Sequence, residues 1–146
     1  MTEATEENPP PPLLTPQDCL VATMLAMCVS DGSISTSELV KIQTAVNNLP
    51  VFGDYNEERI PKVSKTVYDL LDEDNGIATL LGLVRAGLPR RLHETAYALA
   101  CDVAAADGQL RQRELRLLEE LQFELTIDRL HAAAIERGAR ARHLTL

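Results

Sequence analysis

Apolar residues recur every three or four positions through most of the chain and nowhere alternate over the length of a strand, which marks helices rather than sheet. Thr15-Pro16-Gln17-Asp18 offers a cap hydroxyl, a proline at the first helical position and an acid at the third, so a first helix starts there. Leu20, Met24, Met27 and Cys28 follow at helical spacing to about Ser30. Asp31-Gly32 ends the run, since glycine takes the left-handed conformation that closes a helix. Ser35-Thr36-Ser37-Glu38 is a capping box. It opens a second helix bearing Leu39, Ile42, Val46 and Leu49, and Pro50 stops it.

Past the loop VFGDYN (residues 51–56), the spacing predicts a third helix with Ile60, Val63, Val67, Leu70 and Leu71, Pro61 lying in or near its first turn. The acidic turn Asp72–Gly76 precedes a short fourth helix with Ile77, Leu80, Leu81 and Val84. Gly87 and Pro89 interrupt the chain before a fifth helix that carries Leu92, Ala96, Leu99, Ala100 and Val103 to about Ala106. Asp107-Gly108 ends that helix, a sixth presents Leu115, Leu118 and Leu121, and Thr126 or Asp128 caps a seventh with Leu130, Ala134 and Ile135. The fold class that follows is all-α, a compact bundle of about seven helices. Residues 1–14 hold four consecutive prolines and three glutamates and read as a disordered tail. Residues 15–146 read as one helical domain.

Composition sharpens this picture in two ways. Aromatic residues are 3% of the chain and tryptophan is absent, so the core is aliphatic and alanine-rich, which suits close-packed helices. The net charge of -8 is uneven: residues 1–76 hold 13 acids and 4 bases, residues 77–146 hold 9 acids and 10 bases. An acidic chain gains nothing from phosphate attraction, so nucleic acid is excluded as a partner and cations or basic proteins are favoured. No stretch approaches the apolar length that spans a bilayer. Cys19, Cys28 and Cys101 are odd in number. Cys19 and Cys28 share a helix, ~13 Å apart by helical rise, too far for a disulfide. With no secretory signal pattern at the start, the expected location is the cytoplasm.

One pattern repeats. At a shift of 76, Ser30-Asp31-Gly32-Ser33-Ile34 falls on Ala106-Asp107-Gly108-Gln109-Leu110, Glu38-Leu39 on Glu114-Leu115, and Ile42 on Leu118. Both copies read helix, acidic elbow, helix, and two such hairpins around a pseudo-twofold axis would share a core that neither makes alone. These units, SDGSISTSEL and ADGQLRQREL, each after an alanine-rich helix, resemble the tellurite-resistance TerB family. The related module that precedes the J domain in a membrane-anchored DnaJ-like co-chaperone has the same look. The resemblance covers about residues 15–137. It implies a seven-helix fold of two pseudo-symmetric halves, a divalent-metal site built from the acidic residues of the two turns, and a role in tellurite or chemical-stress systems. The family's acidic pairs fall on Asp31 with Glu38 and Asp107 with Glu114. The chain departs from the pattern at Arg111, where a small capping residue is usual.

The repeated Asp-Gly-x-Ile-x-x-x-Glu also matches the second half of an EF-hand loop, whose first and third positions must supply oxygen ligands. Here those positions are Met27 and Val29, and Val103 and Ala105, so neither elbow closes a calcium shell alone. If the elbows meet, Asp31, Glu38, Asp107 and Glu114 supply four carboxylates, with Asp102 one turn away as a fifth. An all-oxygen set favours Ca²⁺, Mg²⁺ or Mn²⁺ over zinc. The same acids also serve as plain helix caps, and a duplicated hairpin would repeat them for that reason alone.

Catalytic signatures are missing. His93-Glu94-Thr95-Ala96-Tyr97 lacks the second histidine of the zinc-protease pattern, and His93 reads as a polar-face residue. His131 and His143 have no partner suggested by spacing. No nucleophile elbow or phosphate-binding loop is present, so the chain is read as a non-enzyme that binds protein partners. The alternative function is a metal-free adaptor working through the proline tail or the VFGDYN loop. Phe52 and Tyr55 of that loop either face a partner or fold back over the core. Oligomeric state is not encoded in any of these patterns.

Overall fold

Thr15 opens the first helix as the residue pattern requires: its hydroxyl accepts from the Asp18 amide at 3.0 Å while the Asp18 carboxylate accepts from the Thr15 amide at 3.0 Å. The computed structural model describes residues 14–29, 34–106, 108 and 110–146. Residues 1–13 of the expected disordered tail and the elbow residues Asp31 and Asp107 lie outside the described residues, while Leu14, the last residue of that tail, packs partly buried against the core. Among those described there is no strand, and the α-helices number seven. They are α1 (Pro16–Cys28), α2 (Thr36–Asn48), α3 (Ile60–Leu71), α4 (Gly76–Gly87), α5 (His93–Ala105), α6 (Gln112–Glu124) and α7 (Arg129–Arg142). No helix of the described residues is long and apolar enough to cross a membrane.

Helix α1 is the axis of the molecule. Every residue from Asp18 to Cys28 is buried, because the segment is apolar all round rather than on one stripe. Its one mid-helix hydroxyl, Thr23, is satisfied by donating to the Cys19 carbonyl at 2.8 Å. Against α1 pack chiefly α5, then α3 and α4, and α5 in turn carries α7 and α6. Helix α2 contributes only Ile42 and Val46 fully to the interior. Val63 and Val67 of α3, and Leu80, Leu81 and Val84 of α4, complete that side.

The inward stripes of the last two helices differ from those the periodicity predicts. In α6 the buried set is Leu117, Leu118 and Leu121, while Leu115 is exposed. In α7 it is Ala132 and Ala139, with Ile135 partly buried and Leu130 and Ala134 left outside. The cause is close packing of α7 on α5, which admits alanine on the facing stripe and rotates the bulkier Leu130 away. Asp128, not Thr126, is the cap of α7, accepting from the amides of Leu130 and His131.

Two helix ends are fixed by particular backbone geometry and a third junction by a side chain. Gly108 has φ +77°, the left-handed closure expected after α5. Thr126 has φ 54°, an unfavourable region for a β-branched residue. Thr126→Gly should therefore raise stability by about 1 kcal/mol, the strain released less the entropy glycine adds, as measured by urea unfolding. His93 does not lie on a polar face: it is half-buried, its Nε2 3.2 Å from the Leu88 carbonyl and its Nδ1 3.3 Å from the Leu125 carbonyl. It thereby ties the start of α5 to the ends of α4 and α6.

Candidate functional site

The end of α1 and the start of α6 are neighbours. Helix α1 gives way at Val29, and the Arg113 guanidinium, in the first turn of α6, donates to the Val29 carbonyl across the gap. The charges of Glu38 and Glu114, on different helices, both act on the buried Cys28 thiol. Burial pushes the Cys28 thiol up, Glu38 raises it further against the opposing Lys41, and Glu114 adds to the same effect, to about 12. A thiol so placed stays protonated at neutral pH and belongs to the core.

Each glutamate is anchored by its own helix start. At α2 the Glu38 carboxylate accepts from the Ser35 amide at 3.0 Å through Oε1, while the Ser35 hydroxyl accepts from the Glu38 amide at 3.2 Å. At α6 the Glu114 Oε1 accepts from the Arg111 amide at 3.0 Å. The return bond has no counterpart there, because an arginine side chain has no acceptor. The second elbow is thus half a capping box. In both glutamates the cap bond engages Oε1, and a carboxylate has a second oxygen to offer. Of the four acids expected at the elbows, Glu38 and Glu114 are described and each caps its own helix, while Asp31 and Asp107 lie outside the described residues. Among the described residues no group of three or more metal-ligating side chains converges.

Asp102 faces elsewhere. Its carboxylate lies 2.6 Å from the Arg142 guanidinium and 3.5 Å from His143 Nε2, so it joins α5 to the end of α7. His131 has an acidic partner that spacing did not suggest, Glu94 Oε2 at 2.6 Å. The hydrogen bond to Glu94, then the charges of Glu94 and Asp128, raise its pKa. Beside the elbows, a recess of about 580 Å³ is bordered by Val29, Asp69, Asp72, Ile77 and Arg113.

The VFGDYN loop folds back. Phe52 is buried, its ring 5.7 Å from that of Tyr55, and the Tyr55 hydroxyl donates to Asp18 Oδ1 at 2.8 Å. Gln17 Nε2 donates to the Val51 carbonyl and to Asp54 Oδ1. These groups close over the start of α1, so the loop aromatics are spent on the fold rather than offered to a partner.

Sequence reasoning missed what they close over. Asp18 is fully buried, and Arg59 approaches its carboxylate with Nε at 3.0 Å and with Nη2. Burial pushes the Asp18 carboxyl up, but the Arg59 guanidinium, the Thr15 amide and the hydroxyls of Tyr55 and Thr15 outweigh it and hold it below the usual value. A signal existed: Arg59 is the one arginine among residues 1–76, where every other base is lysine, and arginine is the residue suited to a buried two-pronged carboxylate pair. Cys19 and Cys101 are also buried, and burial raises their thiols to about 11 and about 12.

A family model described as tellurite resistance protein TerB matches residues 17–137. No curated protein and no solved structure gives a significant match.

Proposed function

The chain belongs to the tellurite-resistance TerB family, and on that footing we propose that it is a non-catalytic cytoplasmic binding module of a tellurite or chemical-stress response. Its paired elbows hold a divalent cation through Asp31, Glu38, Asp107 and Glu114. The observation that supports this reading is the bond from Arg113, in the first turn of α6, to the Val29 carbonyl at the end of α1, which sets the helix after the second acidic turn beside the helix before the first. The donors are all oxygen, which suits Ca²⁺, Mg²⁺ or Mn²⁺. When bound, the ion supplies charge neutralisation and a rigid link between the elbows. The chain's own residues supply the rest: the cap bonds from the Ser35 and Arg111 amides fix the two glutamates, and Arg113 holds α6 to the end of α1.

The test is calorimetric titration and thermal melting with Ca²⁺, Mg²⁺ and Mn²⁺ in turn. An ion at ten times its Kd should stabilise the fold by about 1.4 kcal/mol, a rise in Tm of about 3–5 °C for a chain of this size. Asp31→Asn combined with Asp107→Asn should abolish both the heat and the shift. Heats unchanged by that double substitution, or absent for all three ions, would remove the metal from the proposal. The metal-free adaptor acting through residues 1–14 predicts the opposite pattern: no ion effect, and co-purifying partners that are lost when the tail is deleted.

A further inference from the structure

The boundary between α6 and α7 carries a second feature, remote in chemistry from the elbows. Phe123, in the last turn of α6, is 85% exposed, and Leu130, in the first turn of α7, is 80% exposed. The chain has two phenylalanines and no tryptophan, so one of its largest apolar side chains stands in solvent. The turn that displays it is held in an unfavourable shape. Thr126, at φ 54°, sits where glycine is usual, with its amide on the Phe123 carbonyl at 3.1 Å and the Ile127 amide on the Gln122 carbonyl at 3.0 Å. Such strain persists only when the surroundings fix it.

Phe123 borders an open groove of about 690 Å³, lined also by Arg85, Gln122, Thr126, Ile127 and Arg129, the last of these next to Leu130 in the chain. Projection and recess therefore share one patch. Its rim carries both signs of charge, Glu119 and Glu124 against Arg85 and Arg129, and within the chain Arg85 reaches Glu124 only at 3.8 Å. A partner of one charge sign would meet a like charge on this rim. A copy of the same patch offers bases for these acids, acids for these bases, and a phenylalanine of the kind the recess can take.

We propose that this patch is a homodimer interface, in which Phe123 of each protomer enters the groove of the other and Leu130 packs beside it. An aromatic side chain buries about 150–250 Å², and a stable interface takes about 800 Å² from each partner. The dimer is consequently weak and forms with rising concentration.

Sedimentation velocity of the full chain from about 1 μM to about 500 μM, the range that micromolar to millimolar association occupies, tests this. The wild type should shift from monomer toward dimer across that range. Phe123→Ser and, separately, Leu130→Ser should remain monomeric throughout with an unchanged helical circular dichroism spectrum, as both side chains lie outside the core. Arg129→Glu should weaken the dimer at least tenfold in Kd. A wild-type chain that stays monomeric to the top of the range overturns the proposal and leaves the patch to a different protein or to none. A Phe123→Ser chain that dimerises as the wild type does overturns it as well, by placing the contact on another face.

Discussion

Arg59→Met should lower the stability of the folded chain by about 3 kcal/mol at pH 7, because it leaves Asp18 ionised, fully buried and without its cation. The figure is set at the lower end of the range for broken buried pairs since the arginine side chain is itself 42% exposed. The effect also depends on pH, with a definite sign. The folded-state pKa of Asp18 is below its unfolded value near 3.8, so the unfolded chain binds more protons in the interval between the two. The carboxylate's contribution is thus fully present above the unfolded value and is lost as pH falls through the folded one. Urea unfolding of both proteins at pH 7 and at successively lower pH should show the gap between them closing toward acid, as protonation removes the charge that Arg59 serves. A gap that is constant with pH would mean that methionine merely disturbs packing.

Gly76→Ala should cost about 3 kcal/mol or more, the upper end for overpacking a core. A β-carbon built on Gly76 falls 2.0 Å from the Leu70 carbonyl oxygen and 2.9 Å from the Leu71 Cα. Both neighbours are backbone, so no side chain can swing aside, and the end of α3 must part from the start of α4. The glycine is thus required by close approach. Gly82, six residues on in the same helix, is the internal control: nothing lies within 4 Å of its β-carbon position. Gly82→Ala should stabilise the chain by about 1 kcal/mol through helix propensity alone. Equal effects at the two positions, measured by thermal or urea unfolding, would contradict the packing described for α3 on α4.

These two positions also separate what residue patterns reveal from what they conceal. Gly76 reads in sequence as part of a turn, which it is, but its crowding by Leu70 depends on how steeply α4 returns across α3. Asp18 reads as the third residue of a capped helix, which it also is. That local duty is a sufficient explanation for an acid at this position, and it hides the second duty toward Arg59 and Tyr55, 41 and 37 residues away. The candidate site divides likewise. The two capping glutamates, Glu38 and Glu114, are legible from spacing, as is the weakness at Arg111, whose side chain cannot accept a hydrogen bond. That Asp102 turns to Arg142 is not legible, because nothing near Asp102 in the chain announces the end of α7.

The seven helices, most of their stops and the TerB relationship were determined by the sequence alone, because caps, proline and glycine breaks and apolar period act over a few residues at a time. Tertiary structure decided which face of α6 and α7 turns inward, where His93 is clamped, and which acid loses all contact with water. Those outcomes depend on the packing of segments far apart in the chain. Burial in particular is set by neighbours from other helices, so the energy of one carboxylate is fixed only when the whole bundle has closed around it.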